Sequence, residues 1–280
     1  MLTVSGRLLC HEWGRLWGLL WPKRKAFTLI ELLVVIAIIA VLMSILMPAL
    51  HKAKAQAKDV ICRANLHQWG HIWKIYTDDN NGRFPVPSLG DWQRGEWVIA
   101  LRPEWETRSD IVCCPMATKR LPGGEEHGGP FNTYVMGEGG GGGETLEECS
   151  YGLNCWVYNA GANVSDIQGR PTAYNWRTCS VKGAGYVPLF GDSMWRGGGP
   201  SHDQEPPDYN GQWKDADYEI GHFCIDRHGV GNVNHLFLDF SVRRVGLKEL
   251  WELRWNRNWN PNNDPPPAWP DWMKNMKDYR

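Results

Sequence analysis

The 280-residue chain has no surplus of either charge: 30 Lys and Arg stand against 31 Asp and Glu, a net charge of −1. A dedicated nucleic-acid binder would be basic, so no polyanion partner is implied. None of the eight cysteines forms a CxxC pair, and the Gly139–Gly143 run lacks the Lys-Ser/Thr of a phosphate-binding loop. These gaps exclude the commonest zinc spacing and a nucleotide site of that type. Long apolar runs are also missing, with one exception near the N-terminus. What is abundant is tryptophan, 17 residues, and glycine, 31 residues. That tryptophan content predicts an aromatic-rich core; the alternative is a display of rings for stacking on a sugar or another envelope polymer, which exposure would decide.

The exception runs from Phe27 to Leu46, where Glu31 is the only charged residue. As a helix it is about 30 Å long, the thickness of a bilayer core, so one membrane span is expected. The tight Lys23-Arg24-Lys25 cluster precedes it and the looser Lys52, Lys54, Lys58 and Arg63 follow. The positive-inside rule then puts the N-terminus in the cytoplasm and everything after about residue 50 outside. A secretory signal would be shorter, with a small-residue cleavage site at its far end, and Ser44 to Ala49 is a weak match. A plain signal anchor leaves Glu31 unexplained. An unpaired carboxylate in lipid costs several kcal/mol and calls for a partner.

The stretch Lys23-Arg24-Lys25-Ala26-Phe27-Thr28-Leu29-Ile30-Glu31-Leu32-Leu33-Val34-Val35-Ile36-Ala37-Ile38-Ile39-Ala40 resembles the N-terminus of type IV pilins and type II secretion pseudopilins. The resemblance implies that a prepilin peptidase cuts between Ala26 and Phe27 and methylates the new amine; Ala26 stands where the family usually has Gly. It also implies that Glu31 pairs with the Phe27 amine of a neighbouring subunit. At an effective dielectric near 20, an ion pair at about 4 Å gives roughly 4 kcal/mol before desolvation, enough to favour one stagger of parallel helices. Pro48 falls where pilin helices carry a kink-forming proline, since its ring removes a backbone hydrogen bond.

After Pro48, apolar residues recur at Ile61, Leu66, Trp69, Ile72, Trp73 and Tyr76, a helical stripe that needs a sheet to cover it. Asp78-Asp79-Asn80-Asn81-Gly82 supplies the stop, with Pro85 beyond. Asp78-x-Asn80-x-Gly82 also resembles a fragment of a calcium loop, but the remaining ligands are absent and the turn is preferred. Strands are expected at 96–101, 110–114, 148–158, 186–190 and 232–245, the last as a hairpin, giving an antiparallel sheet. Gly123-Gly124, Gly139–Gly143 and Gly197-Gly198-Gly199-Pro200 read as mobile loops. Residues 247–259 read as a helix with Trp251, Trp255 and Trp259 facing the core, and 261–280 as an extended surface tail.

A looser resemblance covers the C-terminal part. Asp110-Ile111-Val112-Cys113-Cys114-Pro115, Ser150-Tyr151-Gly152-Leu153-Asn154 and Asp226-Arg227-His228 through Phe237-Leu238-Asp239 are similar to blocks of pseudopilin-like families of planctomycete and verrucomicrobial bacteria. There, nine residues separate a His from an Asp-Gly turn. Here ten separate His228 from Asp239, and Phe240 replaces the Gly, so a two-residue primed turn would be strained.

The cysteines downstream of the span, Cys62, Cys113, Cys114, Cys149, Cys155, Cys179 and Cys224, would meet an oxidising compartment. Disulfides are therefore favoured, with Cys149 or Cys155 to Cys179 plausible, over a zinc alternative built from Cys113, Cys114, Cys224, His222 and His228. The acidic stretch from Asp203 to Asp217 leaves calcium open. Gly191-Asp192-Ser193 with Asp226-x-His228 mimics a lipase-like hydrolase, but the His spacing is one residue short and the Ser comes late in the chain, so no enzyme activity is expected.

Together these readings give an α+β protein: a leader at 1–26, a transmembrane and assembly helix at 27–50, the soluble half of that helix at 51–82, an antiparallel sheet domain at 83–260 and the tail at 261–280. The resemblance implies the lollipop shape of a pilin. Losing the leader, with five basic residues and one acidic, takes the net charge from −1 to −5. The expected function is a pseudopilin-like structural subunit in a type II secretion or type IV pilus-like filament. The alternative is a membrane-anchored module that binds an envelope polymer. Expected partners are prepilin peptidase, other pilin or pseudopilin subunits of a homo- or hetero-oligomeric filament, and inner-membrane assembly machinery, with no cofactor and no resident metal. The expected location is the inner membrane, with the C-terminal domain periplasmic or extracellular.

Overall fold

A computed structural model describes residues 27–87, 96–123, 125–136, 147–229, 231–259 and 268–279. The chain divides into two units, Met1–Lys52 and Ala53–Arg280. Helix α1, Leu29–Asp79, begins in the first and ends in the second, and continues without a break through Pro48. It stops at the expected place: Gly82, at φ 74°, donates to the Thr77 carbonyl at 2.7 Å, and Asn80 Nδ2 donates to Tyr76 O. These atoms form a turn, and Asp78 pairs with Lys74.

In the second unit α1 buries Cys62, Leu66, Trp69, Ile72 and Trp73, a spacing that keeps one face of the helix inward. Ile61, expected in that stripe, is exposed, because Cys62 occupies the inward position beside it. Two further helices, α2 (Glu96–Ala100) and α3 (Arg102–Trp105), follow. The strands are β1 (Lys119–Arg120), β2 (Asn132–Met136), β3 (Glu147–Cys149), β4 (Tyr151–Asn154), β5 (Asp166–Ile167), β6 (Arg170–Pro171), β7 (Pro188–Asp192), β8 (Gly197–Gly198), β9 (Asn232–Phe237) and β10 (Val242–Gly246). The central sheet has the order β10-β9-β7-β4-β8; β1-β2-β3 form a second sheet and β5-β6 a ribbon. The architecture is α+β with mixed sheets. Most pairs are antiparallel, but β4·β8 and β1·β2 run parallel.

Alternation along β7 and β9 sorts the core into two faces. Phe190 and Asp192, with Asn234 and Leu236, point toward α1, where Phe190 lies 5.0 Å from the Trp69 ring. Gly191 and His235 oppose each other on the other face, and a Cβ on Gly191 would come within 2.6 Å of the His235 ring. His235 packs against Phe223 and Trp255, and neither ring nitrogen has a hydrogen-bond partner among the described residues. Burial, helped by Arg243, pushes its pKa down to about 4 despite the Asp192 charge. The unfolded chain therefore takes up this proton near pH 6.5 and the folded chain only near 4, so stability is complete above that window and falls as pH drops through it. The loss approaches about 3 kcal/mol. In acid melts, His235→Leu should flatten the decline between pH 6.5 and 4; an unchanged slope would assign it to other groups.

Several local expectations are corrected. Residues 96–100 are helical, with Trp97 buried and its indole N–H on Arg196 O. The 110–114 segment is a 3₁₀ turn, Ser109–Ile111, followed by bends, because its carbonyls are taken by tertiary donors: Ile111 O by the Trp69 indole and Cys113 O by Asn65. Gly197 and Gly198 form strand β8 and are buried, since a Cβ on Gly197 would strike Leu153 O at 2.5 Å. Between β9 and β10 the loop has four residues and Phe240 adopts φ 62°; Asp239 Oδ1 accepts from the backbone N–H and hydroxyl of Ser241. A non-glycine residue there costs about 1–2 kcal/mol. Trp251, Trp255 and Trp259 are buried as expected, yet only Lys248–Glu252 is helical, and as a 3₁₀ turn. Indole N–H groups of Trp255 and Trp259 bond to Leu250 O and Trp251 O instead of lining a regular helix. The tail at 268–279 is turned rather than extended: Met273 is buried and Trp272 donates to Pro207 O. The Gly139–Gly143 run and Gly124 lie outside the described residues.

Candidate functional site

The sequence-predicted site residues are Ala26, Phe27, Glu31 and Pro48. Ala26 and the basic cluster before it lie outside the described residues; Phe27 is the first one described and is exposed. Thr28 is the N-cap of α1. Its hydroxyl accepts from the Glu31 N–H at 3.2 Å, while Glu31 Oε2 accepts from the Thr28 N–H at 2.9 Å and from the Thr28 hydroxyl at 2.8 Å. This is a reciprocal capping box, and it puts the carboxylate in the first turn, where the helix dipole favours negative charge. Reading Glu31 as an unpartnered acid therefore missed Thr28. The Thr-x-x-Glu spacing was the available signal.

The box satisfies the carboxylate's hydrogen bonding without cancelling its charge, so a cation can still join it. Between Leu29 and Leu46, α1 presents leucine, isoleucine and valine on every side, and residues 27–57 are exposed. A helix apolar all round suits a membrane rather than an aqueous surface. Pro48 lies within this segment and supplies no N–H to the helix.

Other motifs do not assemble as read. Among the described residues no disulfide forms, so neither Cys149 nor Cys155 is joined to Cys179. Cys149 Sγ instead lies 2.9 Å from Val112 O, and Cys155 Sγ is 3.7 Å from Leu153 O. In the hydrolase-like pair, Ser193 is buried and its hydroxyl donates to Trp195 O, while His228 faces Asp192, Asp59 and Cys114. Carboxylates in the 203–217 stretch serve local bonds: Asp203 with Ser201, Asp208 with Gln212, and Asp215 with the backbone N–H groups of Asp217 and Tyr218. Of the zinc candidates, Cys114 and His228 come together; Cys113, Cys224 and His222 do not join them. The described tryptophans are buried, apart from Trp213, Trp269 and Trp272, which are half-buried.

The family model for the prokaryotic N-terminal methylation motif matches residues 21–47. No curated protein and no solved structure matches the chain. The motif supports reading the N-terminal segment as that of a type IV pilin-like precursor, which implies processing by a prepilin peptidase and association with other pilin-type subunits. With the one helix among the described residues that is long and apolar enough to cross a membrane, it supports a single-pass membrane anchor.

Proposed function

We propose that the protein is a pseudopilin-like structural subunit, cut between Ala26 and Phe27, methylated on Phe27, and assembled through its N-terminal helix into a short filament of the type II secretion or type IV pilus kind. The mature part would lie on the outer side of the inner membrane and act mechanically. The observation that carries this reading is an anionic side chain held at the start of the apolar half of a long helix, within the residues that the methylation motif matches. The capping box keeps Glu31 ordered and at the helix end, where the new Phe27 amine of an adjacent subunit can reach it.

Glu31→Gln separates charge from capping, because glutamine preserves the box. The variant is expected to insert in the membrane at wild-type levels and to lose at least about tenfold in sheared filament yield, equivalent to about 1.4 kcal/mol per subunit contact. Glu31→Ala, which also removes the cap, should assemble no better. Intact-mass analysis of the membrane fraction should show a chain beginning at Phe27 with one added methyl group. Wild-type filament yield from Glu31→Gln would sink the pairing, and native material beginning at Met1 would sink the whole reading.

A further inference from the structure

Four side chains far apart in the sequence converge in the second unit. Cys62 comes from α1, Cys114 from the bends after the 3₁₀ turn, Asp192 from the end of β7 and His228 from the segment before β9. One ligand atom from each lies within 4.8 Å of all the others. Cys114 Sγ is 3.7 Å from His228 Nε2, Cys62 Sγ is 3.6 Å from Asp192 Oδ1, and His228 Nε2 is 2.9 Å from Asp192 Oδ2. Tetrahedral zinc, with bonds near 2.3 Å to sulfur and 2.0 Å to nitrogen or oxygen, has ligand–ligand edges of about 3.3–3.8 Å. The set therefore needs only small shifts to close on an ion. All four side chains are buried, His228 to 1% exposure.

We propose that Cys62, Cys114, Asp192 and His228 form a structural zinc site. The surroundings are those of a metal centre. His228 Nδ1 lies 3.4 Å from Asp59 Oδ1, the carboxylate–histidine arrangement that orients a metal-binding imidazole. Asp59 is in turn held by Asn234 Nδ2 at 2.9 Å and by Arg244. Asp192 accepts from the Asn234 N–H at 2.8 Å and from Arg227 at 3.2 Å. Charge also balances: a dication, two thiolates, Asp192 and Arg227 sum to zero, and Asp59 with Arg244 forms a second neutral pair. Neutrality matters because an uncompensated buried charge is expensive. Two thiolates with an imidazole select a borderline-soft ion over calcium or magnesium, and four protein ligands leave no open position for catalysis. The ion would tie α1, through Cys62, to the end of β7 and to two segments without regular structure of their own.

The test is cobalt titration of the full-length, detergent-solubilised protein, stripped of metal and kept reduced. One equivalent of Co²⁺ should produce thiolate-to-cobalt charge transfer and tetrahedral ligand-field bands, and one equivalent of Zn²⁺ should displace it. Cys62→Ser and Cys114→Ser should each abolish the charge-transfer intensity of their sulfur, and Asp59→Asn should weaken affinity about 10–100-fold. Cys224→Ser, a buried thiol outside the set, should titrate as wild type. Wild-type titration decides the question even if a variant fails to fold. Absence of the bands in reduced wild type, or unchanged bands in Cys114→Ser, would overturn the site. So would a Cys62–Cys114 disulfide in native material, seen as a mass two hydrogens lighter with no bound zinc.

Discussion

Arg227→Met should lower the melting temperature by about 10 °C or more. Arg227 is fully buried, and its guanidinium donates to the carbonyls of Gly129, Pro130, Ser150 and Ser193 and to Asp192. Methionine fills much of the same volume yet leaves four acceptors and one carboxylate short of a donor. Breaking one side of a buried pair costs about 3–5 kcal/mol, and each kcal/mol moves the midpoint of a domain this size by about 2–4 °C. Melting of the detergent-solubilised full chain, followed by tryptophan fluorescence, measures it. Arg108→Met, at an exposed position, should stay within about 0.5 kcal/mol of wild type. A shift no larger than that control's would show that Arg227 is not the keystone of this loop region.

Trp69→Ala should be comparably damaging for an apolar reason. The Trp69 ring sits 5.4 Å from Trp97, 5.0 Å from Phe190 and 6.3 Å from Trp105, so it joins α1 to α2, α3 and β7. Truncating such a residue costs about 3–5 kcal/mol, from lost transfer energy and the cavity left behind. A further effect is specific to this position: the indole N–H holds Ile111 O at 3.0 Å, fixing the turn that precedes Cys114. Trp69→Phe should recover most of the packing but not that bond, leaving a deficit of about 1–3 kcal/mol. If Trp69→Phe melts no differently from Trp69→Ala, the hydrogen bond rather than the ring dominates.

The aromatic residues show where sequence reasoning succeeds and where it stops. Trp251, Trp255 and Trp259 were legible as core residues because hydrophobicity alone demands burial, but their four-residue spacing did not make a helix. Their indole N–H groups found carbonyl partners in an irregular chain. Glu96 to Ala100 shows the reverse ambiguity, since a short apolar run fits strand or helix equally until its neighbours are known. The Gly197-Gly198 pair reads as a loop in sequence because what it avoids, a clash with the Leu153 carbonyl, is a contact between segments distant in the chain.

The sequence by itself determined the apolar span, its charged flank and the helix end at Gly82, because each depends on residues within one or two turns of each other. Only the tertiary structure decided which cysteines meet. Cys62, Cys114, Asp192 and His228 carry no common spacing, and their convergence follows from packing one face of α1 on the central sheet while Arg227 and Trp69 fix the connecting segments. Local chemistry is written in short intervals; a site whose ligands come from four elements depends on how those elements pack.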